Sequence, residues 1–275
     1  MARTIVKSRA VVLRRQRLGE TSKLVTLFTE DYGKLKVVAK GARQPRSRFG
    51  AALEPFTEVQ AVCYLRDDRE LQTLSECDVI RQHPGLQADL ERLSLASAAG
   101  ELVDRLTVEA EPNRRIYACL AGALPALAEV AAAQVEPVFW YFQLRVAQAL
   151  GYQPELSQCV ACGGALVGAW LWFGAEAGGT LCSACGQGRG VRLAGDSLRL
   201  LGYLQQLPRY TAEAMPPAPA RRGEIRAALR HFLEFHGGGR QRLRSLDFLE
   251  AVVGLDERDA APALPNGPET GVGHG

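Results

Sequence analysis

Hydrophobic and polar positions alternate along the first 81 residues, then change period. From Lys34 to Ala39, Leu35, Val37 and Ala39 alternate with Lys34 and Lys36, and Lys40 follows, so this strand has one apolar and one cationic face. Four further stretches read as strands: Ile5 to Arg15, Thr21 to Thr29, Glu58 to Arg66 and Glu70 to Ile80. Asp31-Tyr32-Gly33 and Asp67-Asp68 supply turns. Short strands with Gly and Asp punctuation predict a small antiparallel barrel or sandwich.

His83-Pro84 marks a boundary, and a helical period takes over. Leu86, Leu90, Leu93, Leu102, Val103 and Leu106 keep three-to-four spacing, and Glu111-Pro112-Asn113 breaks that stripe. Ile116, Leu120, Leu124, Leu127 and Val130 form the next helix, where Pro125 predicts a kink. Glu136-Pro137 opens a third, with Val138, Phe139, Phe142, Val146 and Leu150 on its apolar face, stopped by Gly151. Asp196 is expected to cap a helix over Ser197 to Leu207. Glu224 to His236 forms another, with Ile225, Leu229, Phe232 and Leu233 inward and Arg222, Arg226 and Arg230 opposite. That arginine row reads as a solvated face, or as an extension of a phosphate track.

The fold class is therefore α+β: a five-stranded OB-type barrel over residues 1–81, then a helical domain over 82–255. An SH3-like barrel is the structural competitor. Residues 256–275, rich in Pro, Gly and Ala, read as a disordered tail.

Charge changes this picture. The chain carries a net +3, but residues 1–48 hold 13 Lys and Arg against three acids, a local +10 that leaves −7 for the rest. All five lysines lie in that segment. A basic head on an acidic body points to a polyanion such as nucleic acid. The candidate phosphate contacts are Arg14, Arg15, Lys34, Lys36, Lys40, Arg43, Arg46 and Arg48, the last three in a loop punctuated by Pro45 and expected to be mobile. Phe49 and Tyr32 are candidates to stack on a base, against ordinary core roles. A lysine-bearing edge strand kept soluble by its charge is the plainer reading of the same alternation.

Seven cysteines include Cys159-Val-Ala-Cys162, a gap of 19 residues, and Cys182-Ser-Ala-Cys185. Each pair is followed by glycine (Gly163, Gly186), which lets the backbone turn beneath an ion. Two such turns complete a four-thiolate site, so one structural zinc ion is expected on an insertion over residues 155–190, with AWLWF and GTLC as strands of a ribbon. Four thiolates leave no open position for catalytic water. Cys63, Cys77 and Cys119 read as small buried apolar residues.

No run of 18 apolar residues occurs, and the first 16 residues lack the hydrophobic core of a signal peptide, so a cytoplasmic protein is expected. Neither a P-loop nor an H-E-x-x-H motif is present. A metal-dependent nuclease needs clustered acids in the basic domain, which offers only Glu20, Glu30 and Asp31 over residues 1–48. The expectation is a binding protein without enzymatic activity.

Gly19-Glu20-Thr21-Ser22, Leu27-Phe28-Thr29, Gly33, Lys40-Gly41-Ala42-Arg43, Ser47-Arg48-Phe49 and Leu53-Glu54-Pro55-Phe56 together resemble the N-terminal pattern of the bacterial RecO recombination-mediator family. The paired C-x-x-C motifs and Leu243-Arg244-Ser245-Leu246 continue the resemblance, which covers roughly residues 3–250. It implies binding of single- and double-stranded DNA, strand annealing and the loading of RecA recombinase in DNA repair. It also implies RecR and single-stranded-DNA-binding protein as partners, and association with the nucleoid. The alternative from the residues alone is an RNA-binding OB protein of translation or ribosome assembly.

Overall fold

The computed structural model describes residues 4–237 together with 244, 245, 247 and 248. The expected tail over 256–275 lies outside the described residues. Strands β1 (Thr4–Leu18), β2 (Ser22–Thr29), β3 (Gly33–Ala39), β4 (Glu58–Leu65) and β5 (Gln72–Arg81) form a closed barrel in the order β1-β2-β3-β5-β4. The pairings are antiparallel except one. β3 meets β5 in parallel, Val37 opposite Gln72 and Val38 opposite Thr73, so the barrel is not wholly antiparallel as expected. The long connection from Lys40 to Thr57 makes this closure possible, because it returns the chain to pair β4 with β1 before β5 arrives beside β3.

Strand β1 shows how the chain builds two layers at once. Val6, Ala10 and Val12 point into the barrel with Val25, Leu27, Leu35, Val37, Val59 and Leu74. Val11 and Leu13 point the other way and join Phe28 in the core of the helical body. The continuous run Ala10 to Leu13 is therefore buried on both faces. A register shift between Val12 and Arg14 ends this arrangement, and Arg14, Arg15 and Arg17 emerge to the surface.

Helices α1 (Leu90–Leu106), α2 (Arg114–Glu129) and α3 (Val135–Ala149) follow. Asp89 caps α1 by accepting from the Arg92 amide at 2.9 Å, and Asn113 caps α2 from Ile116 at 3.1 Å. The Glu111-Pro112-Asn113 break is thus also a start signal. Helix α2 continues through Pro125. Strands β6 (Trp170–Gly174), β7 (Gly179–Leu181) and β8 (Val191–Ala194) form a separate antiparallel sheet in the order β7-β6-β8, one strand more than expected. Helices α4 (Gly195–Gln206) and α5 (Arg222–His236) complete the body. Asp196 is not the cap of α4. It lies in the first turn and pairs with Arg199, while Ala194 occupies the cap. Among the described residues, no helix is long and apolar enough to cross a membrane.

The barrel's outer face and the helices share a core distinct from the barrel interior. Phe28 meets Tyr117 of α2 at 6.3 Å between ring centroids, and Phe56, held at φ +65°, packs against Gly100 of α1. A side chain at Gly100 would crowd the Phe56 ring, 3.1 Å from the position of its Cβ. Gly33 is required twice over: its φ is +64°, and a Cβ there would collide with the Glu111 backbone. That close approach lets the Ala110 amide donate to the Lys34 carbonyl at 2.9 Å.

Candidate nucleic-acid interface and metal centre

The eight cations singled out in the sequence do not share one environment. Lys34 is only 8% exposed. Its Nζ donates to the Asp104 carbonyl of α1 and lies 3.1 Å from the Asp104 carboxylate. Lys36 pairs with Glu109, and Arg14 approaches Asp104 at 3.5 Å while its Nε donates to Thr26 at 3.1 Å. Arg15 pairs with Glu54 at 2.5 Å. The lysine face of β3 is thus a docking face for the helical body. Sequence alternation found the face but not its cover, because the acids that cover it lie some 70 residues away in the chain.

Further pairs cross the same junction, Arg81 with Glu129 at 2.7 Å and Arg114 with Asp31 at 2.6 Å. Arg114 and the Ser8 hydroxyl hold the Asp31 carboxyl below its ordinary range. Buried Glu58 accepts from Arg9 and from the Tyr117 hydroxyl. Burial, with the Glu58 charge beside it, pushes the Tyr117 phenol above its ordinary range. Part of the opposite charge on head and body is therefore spent on holding them together.

Lys40, Arg43, Arg46 and Arg48 are exposed on the loop that follows β3. This loop is a run of hydrogen-bonded turns. Arg43 amide donates to Thr21 at 2.9 Å, Gln44 to Gly41 at 3.1 Å and Ser47 to Gln44 at 3.0 Å. The Arg43 guanidinium donates to the Gly19 carbonyl at 2.8 Å, and Arg48 lies over the Phe49 ring at 5.1 Å. Phe49 itself is buried in the barrel core, and Tyr32 is half-buried against it. Both rings therefore serve packing. Among the described residues, no carboxylate lies within ion-pair distance of these four cations, unlike the other four candidates.

The row Arg222, Arg226 and Arg230 is not a solvated face. Arg222 lies 3.3 Å from Glu136 and Arg226 pairs with the same carboxylate, which is 2% exposed. Arg230 reaches Asp247 at 3.7 Å. Arg222 and Arg226 thus lock α5 to α3. The reason is the buried acid, a feature that helical spacing does not reveal.

The four cysteines converge. The Sγ atoms of Cys159, Cys162, Cys182 and Cys185 lie within 4.8 Å of one another. Thiolates around a tetrahedral ion held at about 2.3 Å are ~3.8 Å apart, so the set fits one ion. Each C-x-x-C turn closes with an amide donating back to its first cysteine carbonyl, Gly163 to Cys159 at 2.8 Å and Gly186 to Cys182 at 2.9 Å. The two glycines answer different needs. Gly163 adopts φ +68°, whereas a Cβ on Gly186 would stand 2.5 Å from the Trp172 side chain. The Cys182 amide donates to Cys159 Sγ at 3.3 Å and helps pull that thiol down to about 6. By contrast, burial pushes the Cys63 and Cys77 thiols up to about 12, as befits packing groups.

Fold and site together define a five-stranded basic barrel docked on a helical body that carries a four-thiolate cluster. Residues 1–83 match the family described as Recombination protein O N terminal, and residues 87–247 match Recombination protein O C terminal. The chain belongs to the recombination protein O (RecO) family. It is 36% identical over 234 residues to the DNA repair protein RecO of Pelotomaculum thermopropionicum, covering 84% of this chain and 89% of the relative. It is also 36% identical to the Roseiflexus protein of the same name, over 90% of this chain and 86% of that one. Identity to the Salinibacter ruber DNA repair protein RecO is 34%, over 94% and 98% respectively.

Proposed function

We propose that this protein is a DNA-binding recombination mediator in DNA repair that works without catalysing a reaction of its own. The observation that carries the reading is the turn-structured loop presenting Lys40, Arg43, Arg46 and Arg48 beside a barrel whose Arg14, Lys34 and Lys36 are committed to the helical body. An arginine fork binds phosphate with paired N–H donors, and an ordered loop loses little conformational freedom on binding. We read the barrel, with β3 and β5 in parallel, as an OB fold, a class that binds oligonucleotides. One zinc ion on the four thiolates would act as a structural pin for residues 155–190.

Complementary strands repel through their phosphates. A protein that neutralises part of one strand lowers this repulsion for the second, and base stacking, about 1.4 kcal/mol per step, supplies the free energy of pairing. The mediator therefore binds single- and double-stranded DNA, speeds annealing without ATP and helps to load recombinase. RecR and a single-stranded-DNA-binding protein are its partners in this reading, and the nucleoid its place.

The test is a stopped-flow annealing rate with and without protein at low salt. Acceleration that fades as salt rises supports the mediator. Tight binding with no acceleration reduces the protein to a single-strand-binding module, and a preference for matched RNA over DNA moves it to the RNA-binding class.

A further inference from the structure

The separate sheet β7-β6-β8 carries a feature that the barrel does not explain. Trp170 on β6 has two guanidinium groups over its ring, Arg192 of β8 at 4.3 Å and Arg221 at 4.8 Å. Leu171 and Phe173 alternate with Trp170 and Trp172 and are buried in the core, so the tryptophans lie on the sheet's outer face. Arg192 and Arg221 are exposed, as are Arg189 and Arg199 nearby in the chain.

How these arginines are held matters. In the helical body, Arg105, Arg114, Arg222, Arg226 and Arg230 are each paired with a carboxylate, which neutralises them. Arg192 and Arg221 are oriented by an aromatic face instead. A π face positions a guanidinium without cancelling its charge, and the N–H donors around the rim of the planar group stay available. The two charges lie within about 9 Å of one another, since both sit over one ring. Two acids near this surface are engaged: Asp196 pairs with Arg199, and Glu224 accepts from the Ala194 amide and the Ser197 hydroxyl. A fixed pair of uncancelled guanidiniums suits a repeating anion with closely spaced charges.

We propose that Trp170, Arg192 and Arg221 form a second binding surface for single-stranded DNA, held through its phosphates. This rests on the mediator reading and deepens it. The barrel's outer face packs on α1 and α2, whereas the small sheet packs on α4 and α5, so the two basic surfaces belong to different parts of the molecule. One chain then holds two strands, which is what annealing requires of a single binder. The four-cysteine turn positions this surface, because Gly186 packs directly beneath Trp172, two residues along β6 from Trp170.

The test uses the full chain and a labelled oligo-dT strand, with binding measured across a salt series. The double variant Arg192→Ala, Arg221→Ala should lower the log–log salt slope by about 1.4, roughly 0.7 for each lost contact to a single strand. Annealing should slow several-fold more than the affinity falls, because the barrel loop still captures one strand. If the alanine variant unfolds, Arg192→Gln with Arg221→Gln retains the stems over the indole, removes the charge and should give the same shift. An unchanged slope with a wild-type annealing rate overturns the proposal. A poly-glutamate peptide that binds the wild type and is lost in the variant, with DNA binding intact, also overturns it and assigns the surface to an acidic protein. A wild-type chain that binds no DNA at low salt overturns this proposal and the mediator reading together. Loss confined to the Arg192 and Arg221 variants leaves the mediator reading standing and supports the second surface.

Discussion

Lys34 Nζ on β3 lies 3.1 Å from the Asp104 carboxylate on α1, and Arg14 approaches the same carboxylate at 3.5 Å. One acid on the body thus anchors two cations of the barrel, and the anchored lysine is buried. Asp104→Asn should therefore destabilise the fold, because it leaves a buried ammonium without its counter-charge. The expected cost is about 3 kcal/mol, the lower end for breaking a buried pair. Urea unfolding measures it, and a change below about 0.5 kcal/mol would mean that water solvates Lys34 in place of the acid.

The exposed loop makes a contrasting prediction. Replacing Arg43, Arg46 and Arg48 together with Ala should leave the unfolding midpoint nearly unchanged, since none has a carboxylate partner among the described residues. Its effect falls on DNA. The log–log salt slope should drop by about 2 on single strands and by nearly 3 on duplex, with affinity falling alike for all sequences. Lys34→Ala should instead act mainly through stability.

Cys159→Ser removes a buried member of the thiolate set, whose thiol is held low by the Cys182 amide. Bound metal should disappear, and hydrogen-exchange protection should fall over residues 155–190 while the barrel strands keep theirs. Full metal occupancy in both Cys159→Ser and Cys182→Ser would refute the four-thiolate assignment.

His83, buried at the junction between β5 and α1, provides a pH signature. Burial lowers its folded-state pKa below 6.5, and the nearby charge of Arg81 lowers it further, against the attraction of Glu58 and Glu129. Below 6.5 the unfolded chain binds the proton more readily than the folded one. Stability from this group is therefore present above pH 6.5 and is lost as pH falls from there through the folded pKa. His83→Gln should flatten the stability profile between about pH 5 and 7, as followed by urea midpoints. A parallel profile would place the titration elsewhere.

Much of the architecture was legible in the sequence because its signals are local. Period-two alternation located the five barrel strands to within a few residues. Three-to-four spacing located the helices, since an amphipathic face recurs within one segment. The two C-x-x-C turns announced their convergence because each is a self-contained hydrogen-bonded loop, and one ion needs both. Asp196 misled as a cap because a residue two positions past the cap carries the same local signature as a true cap.

What the sequence by itself determined was therefore the list of elements, the basic head and acidic body, and the four-thiolate set. Only the tertiary structure decided which cations are free. Lys34 and Lys36 meet Asp104 and Glu109, Arg226 meets buried Glu136, and Arg192 and Arg221 meet Trp170, all partners remote in the chain or across a sheet. A charge has the same appearance in a sequence whether an acid, a ring or water faces it. The Coulomb and desolvation energies that separate these cases depend on distance and burial, which exist only once the chain has folded.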